Sequence, residues 1–249
     1  MSILAALALM IAPRAQAGES PLKVFVLAGQ SNMEGKGASA DLPPELAQPQ
    51  KNVLVYQDGA WLPLQPVKHF GPEVAFGQAM AAHLGQPVGI IKVAVGGTNL
   101  AVQWSPDAGK SLYTKLAKEV KAAREGRPIV IAGMLWMQGE ADSKDEAMAG
   151  AYKSNFIHLI ESARQDFGNA ELPFVFGRVN PPGAKYAYAD VVRKAQEAIQ
   201  LPACRMVNCD DLHKHNDHLH YDDKGQLELG KRFSTAMIEL LKTDNVQKK

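Results

Sequence analysis

Lys23-Val24-Phe25-Val26-Leu27-Ala28-Gly29-Gln30-Ser31-Asn32-Met33 decides the reading of this chain. Residues 23–28 have the apolar, strand-forming character of a buried strand. Gly29-Gln30-Ser31 follows at once, a tight turn that exposes a serine at the strand's carboxyl end. Apolar runs of strand character recur at residues 88–95, 129–136, 172–178 and 204–209. Segments of helical period separate them. Leu112, Leu116, Val120 and Ala123 form one apolar stripe, with Lys115, Lys118, Lys121 and Arg124 on the outer face and Gly126 and Pro128 as the stop. Met148, Tyr152, Phe156, Leu159, Ala163 and Phe167 form a second stripe, ended by Gly168. Asp223-Lys224-Gly225-Gln226 has the form of a capping box opening the last helix, whose apolar face includes Phe233, Met237 and Leu240. Strands alternating with helices predict an α/β fold with a central parallel sheet covered on both faces. Residues 35–72, rich in Pro, Gly and Gln, break the rhythm and predict loops with a short hairpin around residues 53–56.

The chain has 249 residues, 46% of them hydrophobic, enough for one large core. Residues 18–249 read as a single domain. Residues 1–17 read differently. Ile3 to Ala12 is apolar but too short to span a bilayer, and Ala15-Gln16-Ala17 has the small-x-small form of a signal-peptidase site. A signal peptide over 1–17, and a secreted or periplasmic location, are the expectations. Lys+Arg 27 against Asp+Glu 26 gives no charge excess that argues for nucleic acid or a membrane surface as partner. Cys204 and Cys209 bracket the last strand-like run, which would hold their Cα atoms ~16 Å apart if straight, so no disulfide is expected.

In a parallel α/β sheet, chemistry gathers at the carboxyl ends of the strands. Ser31 follows the first run, Gly96-Gly97-Thr98-Asn99 the second, and Met137-Gln138-Gly139-Glu140 the third. Asp217-His218-Leu219-His220 comes shortly after the fifth. Serine needs a base to take its proton and a carboxylate to orient that base, so Ser31, His220 and Asp217 form a candidate nucleophile, base and orienting acid. Asp210 with His213 repeats the D-x-x-H spacing, but Asp217 and His220 stand closer to the helix that would hold them. Glu140 is an alternative orienting carboxylate. A glycine N–H of Gly96 or Gly97 approaches a developing oxyanion without a Cβ in the way, and Gln138 offers a side-chain amide to the same position. Met33 stands where the Gly-x-Ser-x-Gly elbow would need its second glycine, so that elbow is excluded. Residues 210–220 hold four of the seven histidines, which raises a metal site as a rival reading. No dedicated ligand spacing such as H-E-x-x-H supports it, and no metal is expected.

Val26-Leu27-Ala28-Gly29-Gln30-Ser31-Asn32-Met33, Gly71-Pro72-Glu73, Val95-Gly96-Gly97-Thr98, Trp136-Met137-Gln138-Gly139-Glu140 and Asp217-His218-Leu219-His220-Tyr221 occur in this order. In this the chain resembles the SGNH-hydrolase superfamily, and within it the carbohydrate esterase family 6 and sialate O-acetylesterase-like group. Members often carry His before Gln-Gly-Glu and Gly after the Asp, where this chain has Met137 and His218. The resemblance implies a three-layer flavodoxin-like fold and removal of acetyl groups from sugars without a cofactor. It also implies Ser31 as nucleophile, His220 as base, and an oxyanion hole of the Ser31 N–H, a Gly96 or Gly97 N–H and Gln138. An acetylated carbohydrate is then the expected partner, with Trp61 and Trp104 as candidate ring platforms and Asn32, Glu73 and Asn99 as candidate hydroxyl partners. A lipase or thioesterase on the same fold, and a carbohydrate-binding protein without turnover, are the alternatives.

Overall fold

The structure is a computed structural model, and residues 20–247 are described. The expected signal peptide, residues 1–17, lies outside them. In chain order the elements are β1 (Leu22–Gly29), α1 (Ser31–Glu34), β2 (Gly37–Ala38), α2 (Pro44–Ala47), β3 (Gln50–Gln57), β4 (Ala60–Leu64), β5 (His69–Phe70) and α3 (Glu73–Leu84). Then come β6 (Val88–Ala94), α4 (Leu112–Gly126), β7 (Ile129–Met137), α5 (Glu146–Asp166), β8 (Phe174–Gly177), α6 (Ala189–Glu197), β9 (Cys204–Val207) and α7 (Asp223–Gln247).

Seven strands form one sheet in the order β4-β3-β6-β1-β7-β8-β9. β1 pairs in parallel with β6 on one side and β7 on the other. Buried on both faces, it is apolar at nearly every position. The run β6-β1-β7-β8-β9 has the flavodoxin-like order 2-1-3-4-5 when its strands are numbered by themselves. The predicted hairpin exists, turning at Asp58-Gly59, both with positive φ. It is longer than residues 53–56 and joins the main sheet, because Val53–Val55 pair in parallel with Val88–Ile90 of β6. That pairing depends on a partner more than thirty residues away, which local periodicity does not carry.

Helices cover both faces. α3 and α7 pack together on one, where Met237 lies against Gly133 of β7. On the other face, Phe156 of α5 meets Trp136, Phe174 and Phe176 of the sheet. α4 is tied to α5 by the hydrogen bond from Tyr113 to Asp166. Ser111 and Thr114 form a capping box on α4, and Asp145 accepts from Met148 N at the start of α5. For α7 the cap falls one residue before the predicted box: Asp222 accepts from Gly225 N, while Asp223 is already helical. Cys204 and Cys209 are free thiols.

The chain passes from β1 outward to β6 and only later to β7 on the opposite side. The crevice beyond the carboxyl ends of these three strands is therefore the topological switch point, the place where such sheets bind ligands.

Candidate active site

Ser31 stands at that crevice because Gly29 lets the chain turn there. Gly29 has φ +146°, and a Cβ on it would lie 2.1 Å from the Met137 carbonyl oxygen of β7. No other residue fits that close approach. Gln30 N donates to the same carbonyl at 2.9 Å, and the Gln30 side chain accepts from Ala141 N, which anchors the turn to the end of β7. Ser31 opens α1, so its N–H belongs to the first turn and has no carbonyl of its own helix to donate to. Only 5% of Ser31 is exposed.

The histidine comes from the opposite end of the chain. His220 Nε2 is 3.0 Å from Ser31 Oγ, and its Nδ1 is 2.6 Å from Asp217 Oδ2. Asp217 Oδ1 accepts from the backbone N–H groups of Leu219 and His220, both at 2.9 Å. Burial works against the charge on Asp217. These hydrogen bonds, with that of the His220 ring, outweigh it and hold the carboxyl down at about 2. The acid is thus ionised at any working pH, with its other oxygen free to fix the imidazole. His218, in the tight turn between them, takes a positive φ of 55°, the conformation that favours the glycine common at this position.

Glu140 is not hydrogen-bonded to His220. Its Oε1 accepts from Asn32 Nδ2 at 2.9 Å; Asn32 also donates to Leu219 O and accepts from Tyr221 N at 3.0 Å. Asn32 therefore clamps the backbone on both sides of His220, and Glu140 orients Asn32. Of the two carboxylates left open by the sequence, Asp217 is the one bonded to the histidine. Burial raises the Glu140 carboxyl above its ordinary value, against smaller lowering contributions from its backbone hydrogen bond, Asn32, His220 and Lys214.

Gly96 adjoins the serine: a Cβ there would lie 3.6 Å from Ser31 Cβ, whereas one on Gly97 would meet nothing within 4 Å. The glycine turn is held from below. Gln138 Nε2 donates to Thr98 O at 2.9 Å and to Asp142 Oδ2 at 2.6 Å, and Asp142 accepts from Leu100 N and Ala101 N. Gln138 is fully buried with both amide hydrogens engaged, so it braces the turn instead of donating to an oxyanion. Asp142 escaped the sequence reading, although it follows Gln138 by one helical spacing on the same motif.

The expected sugar contacts are corrected as well. Asn32 is 1% exposed and fully hydrogen-bonded. Glu73 is buried, bonded to Gly71 N and paired with Lys92. Trp104 has no exposed surface; it packs edge-on against Trp136 and donates to Thr98. Asn99 Oδ1 accepts from Val102 N and Gln103 N, closing the turn after the glycines. Trp61 lies on β4 over Gly89, five residues before the carboxyl end of β6 and so toward the far end of the sheet. Asn32, Glu73 and Trp104 are thus committed to the scaffold, while half-buried Asn99 spends its Oδ1 on the turn.

The other histidines of residues 210–220 disperse. His213 pairs with Asp222, and His215 bonds to Lys36 O at 3.0 Å. Asp210 pairs with Arg178 and Arg193 instead of His213. Among the described residues, no three His, Cys, Asp or Glu side chains are grouped to hold a metal ion.

Comparison with known proteins agrees with this architecture. Residues 21–239 match a family described as carbohydrate esterase, sialic acid-specific acetylesterase. An Arabidopsis thaliana protein described as a probable carbohydrate esterase is 28% identical, covering 91% of this chain and 94% of its own length. A solved structure of an Arabidopsis thaliana protein superposes with a TM-score of 0.79 at 27% identity, covering 88% of this chain and 99% of that one. A carbohydrate acetylesterase from Xanthomonas citri gives a TM-score of 0.68 at 20% identity over 89% of this chain and 57% of its own. NanS gives 0.69 at 15%, over 92% of this chain and all of its own. At those identities the last two speak for the fold.

Proposed function

The chain belongs to the carbohydrate esterase, sialic acid-specific acetylesterase family, and on that premise we propose that it removes O-acetyl groups from sugars through a Ser31 acyl-enzyme. The observation that carries this reading is the continuous chain Asp217–His220–Ser31, with contacts of 2.6 and 3.0 Å.

Ser31 Oγ attacks the acetyl carbonyl while His220 Nε2 takes its proton; Asp217, ionised, steadies the imidazolium. Negative charge then develops on the carbonyl oxygen, and the N–H groups of Ser31 and Gly96 are the donors that face it. His220 returns its proton to the departing sugar hydroxyl, leaving acetyl-Ser31. Water, deprotonated by His220, attacks the acetyl-enzyme and releases acetate. A leader over residues 1–17 would place this activity outside the cytoplasm, where acetylated polysaccharide is met.

Acetate release from p-nitrophenyl acetate and from acetylated xylan tests the reading. Both activities should vanish in Ser31→Ala. Equal release by the variant would assign the chemistry to another group. A preference for acyl chains longer than butyrate would favour a lipase or thioesterase.

A further inference from the structure

With Asn32, Glu73 and Trp104 committed to the scaffold, the sugar is left to other side chains, and one carboxylate stands beside Ser31. Glu34 follows Ser31 by three residues in α1, so the two share one face of a single helical turn. A Cβ on Gly96 would sit 3.2 Å from Glu34 Oε2 and 3.6 Å from Ser31 Cβ, so the carboxylate and the nucleophile flank the same glycine.

The placement is built from below. Gly35 has φ +100° and a Cβ on it would strike the Phe70 carbonyl at 2.3 Å, so the chain turns sharply just after Glu34. Lys92 Nζ donates to Glu34 O at 2.8 Å and to Glu73 Oε2 at 2.6 Å, and Glu73 in turn accepts from Gly71 N. This largely buried pair, built on Gly71-Pro72-Glu73, fixes the backbone of Glu34. The side chain itself is 44% exposed, bonded through Oε2 to Lys36 Nζ at 3.1 Å. His215, from the loop that carries His220, bonds to the Lys36 backbone carbonyl.

From this we infer that Glu34 is a substrate-binding residue that accepts hydroxyl groups of the sugar next to the ester, and that it selects neutral sugars over anionic ones. A carboxylate accepts two hydroxyls of a vicinal diol at once, with charge-assisted strength. Asp217 is ionised behind His220, and Lys36, the cation beside Glu34, is already engaged by its carboxylate. A sugar carboxylate would meet repulsion there. The inference rests on the proposed function and names its substrate class: acetylated neutral sugars with a free hydroxyl beside the ester.

The test is kcat/KM for wild type, Glu34→Ala and Glu34→Gln on three acetyl esters: p-nitrophenyl acetate, acetylated xylo-oligosaccharide and O-acetylated N-acetylneuraminic acid. Wild type should favour the xylo-oligosaccharide over the sialate ester. Glu34→Ala should lose about tenfold on the xylo-oligosaccharide relative to p-nitrophenyl acetate, mainly as a raised KM. Glu34→Gln should recover part of that loss and narrow the gap to the sialate ester. An unchanged ratio in Glu34→Ala, or a wild-type preference for the sialate ester, overturns the inference. Persistence of p-nitrophenyl acetate hydrolysis in Ser31→Ala would instead overturn the serine mechanism, and the two failures are read on different variants.

Discussion

The two halves of the site are fixed by different forces. Around Ser31, position is set by contact between backbones: Gly29 lies against the Met137 carbonyl of β7, with room for no side chain. Around His220, position is set by hydrogen bonds in a more open loop, where the imidazole is 27% and the Asp217 carboxylate 47% exposed. A serine held by sterics cannot drift without unfolding the strand ends. A histidine held by hydrogen bonds keeps its place only while each partner is present. The serine half should therefore fail through stability and the histidine half through rate.

Asp217→Asn is the sharpest way to expose that asymmetry. It should lower kcat by about 10³–10⁴-fold, since the amide cannot support the required tautomer, and should barely move the melting temperature. A loss under tenfold would break the account of the base half. Gly29→Ala should do the opposite, costing about 3 kcal/mol or more in urea unfolding because neither β7 nor the turn can yield. Near-wild-type stability in that variant would mean that the strand ends are looser than the contact implies.

Asn32→Ala couples the halves. It strips Glu140 of its donor and leaves Leu219 O and Tyr221 N without their partner, so it should cost about 1–3 kcal/mol of stability. It should also lower kcat by about tenfold through a displaced His220. Loss of stability with kcat intact would confine Asn32 to a structural role.

Glu140→Gln is the mildest. Burial raises the Glu140 carboxyl from its ordinary 4.5, so the folded protein holds a proton that the unfolded chain gives up. The stability this group contributes is therefore full below about 4.5 and falls as pH rises through its folded value. Glutamine has no such titration. The variant should gain on wild type as pH rises above about 4.5, and a stability difference independent of pH would count against a raised Glu140 carboxyl.

How much of this was legible follows from range. β1, the serine turn and the D-x-x-H pair are local patterns, and the structure joins them into one hydrogen-bonded chain. Trp104 and Asn32 were misjudged because burial is a long-range property: nothing beside Trp104 in sequence announces Trp136 thirty-two residues on. Gln138 was misjudged because its acceptors, Thr98 O and Asp142, are set by how two loops meet. The pairing of residues 53–55 with β6 was hidden for the same reason.

The serine chemistry is decided by labelling the protein with a fluorophosphonate serine probe and mapping the adduct by peptide mass spectrometry. One covalent adduct is expected, on the peptide carrying Ser31, formed in step with loss of esterase activity and abolished in His220→Ala. Full activity loss with the adduct on another residue, or labelling of Ser31 undiminished without His220, would contradict it.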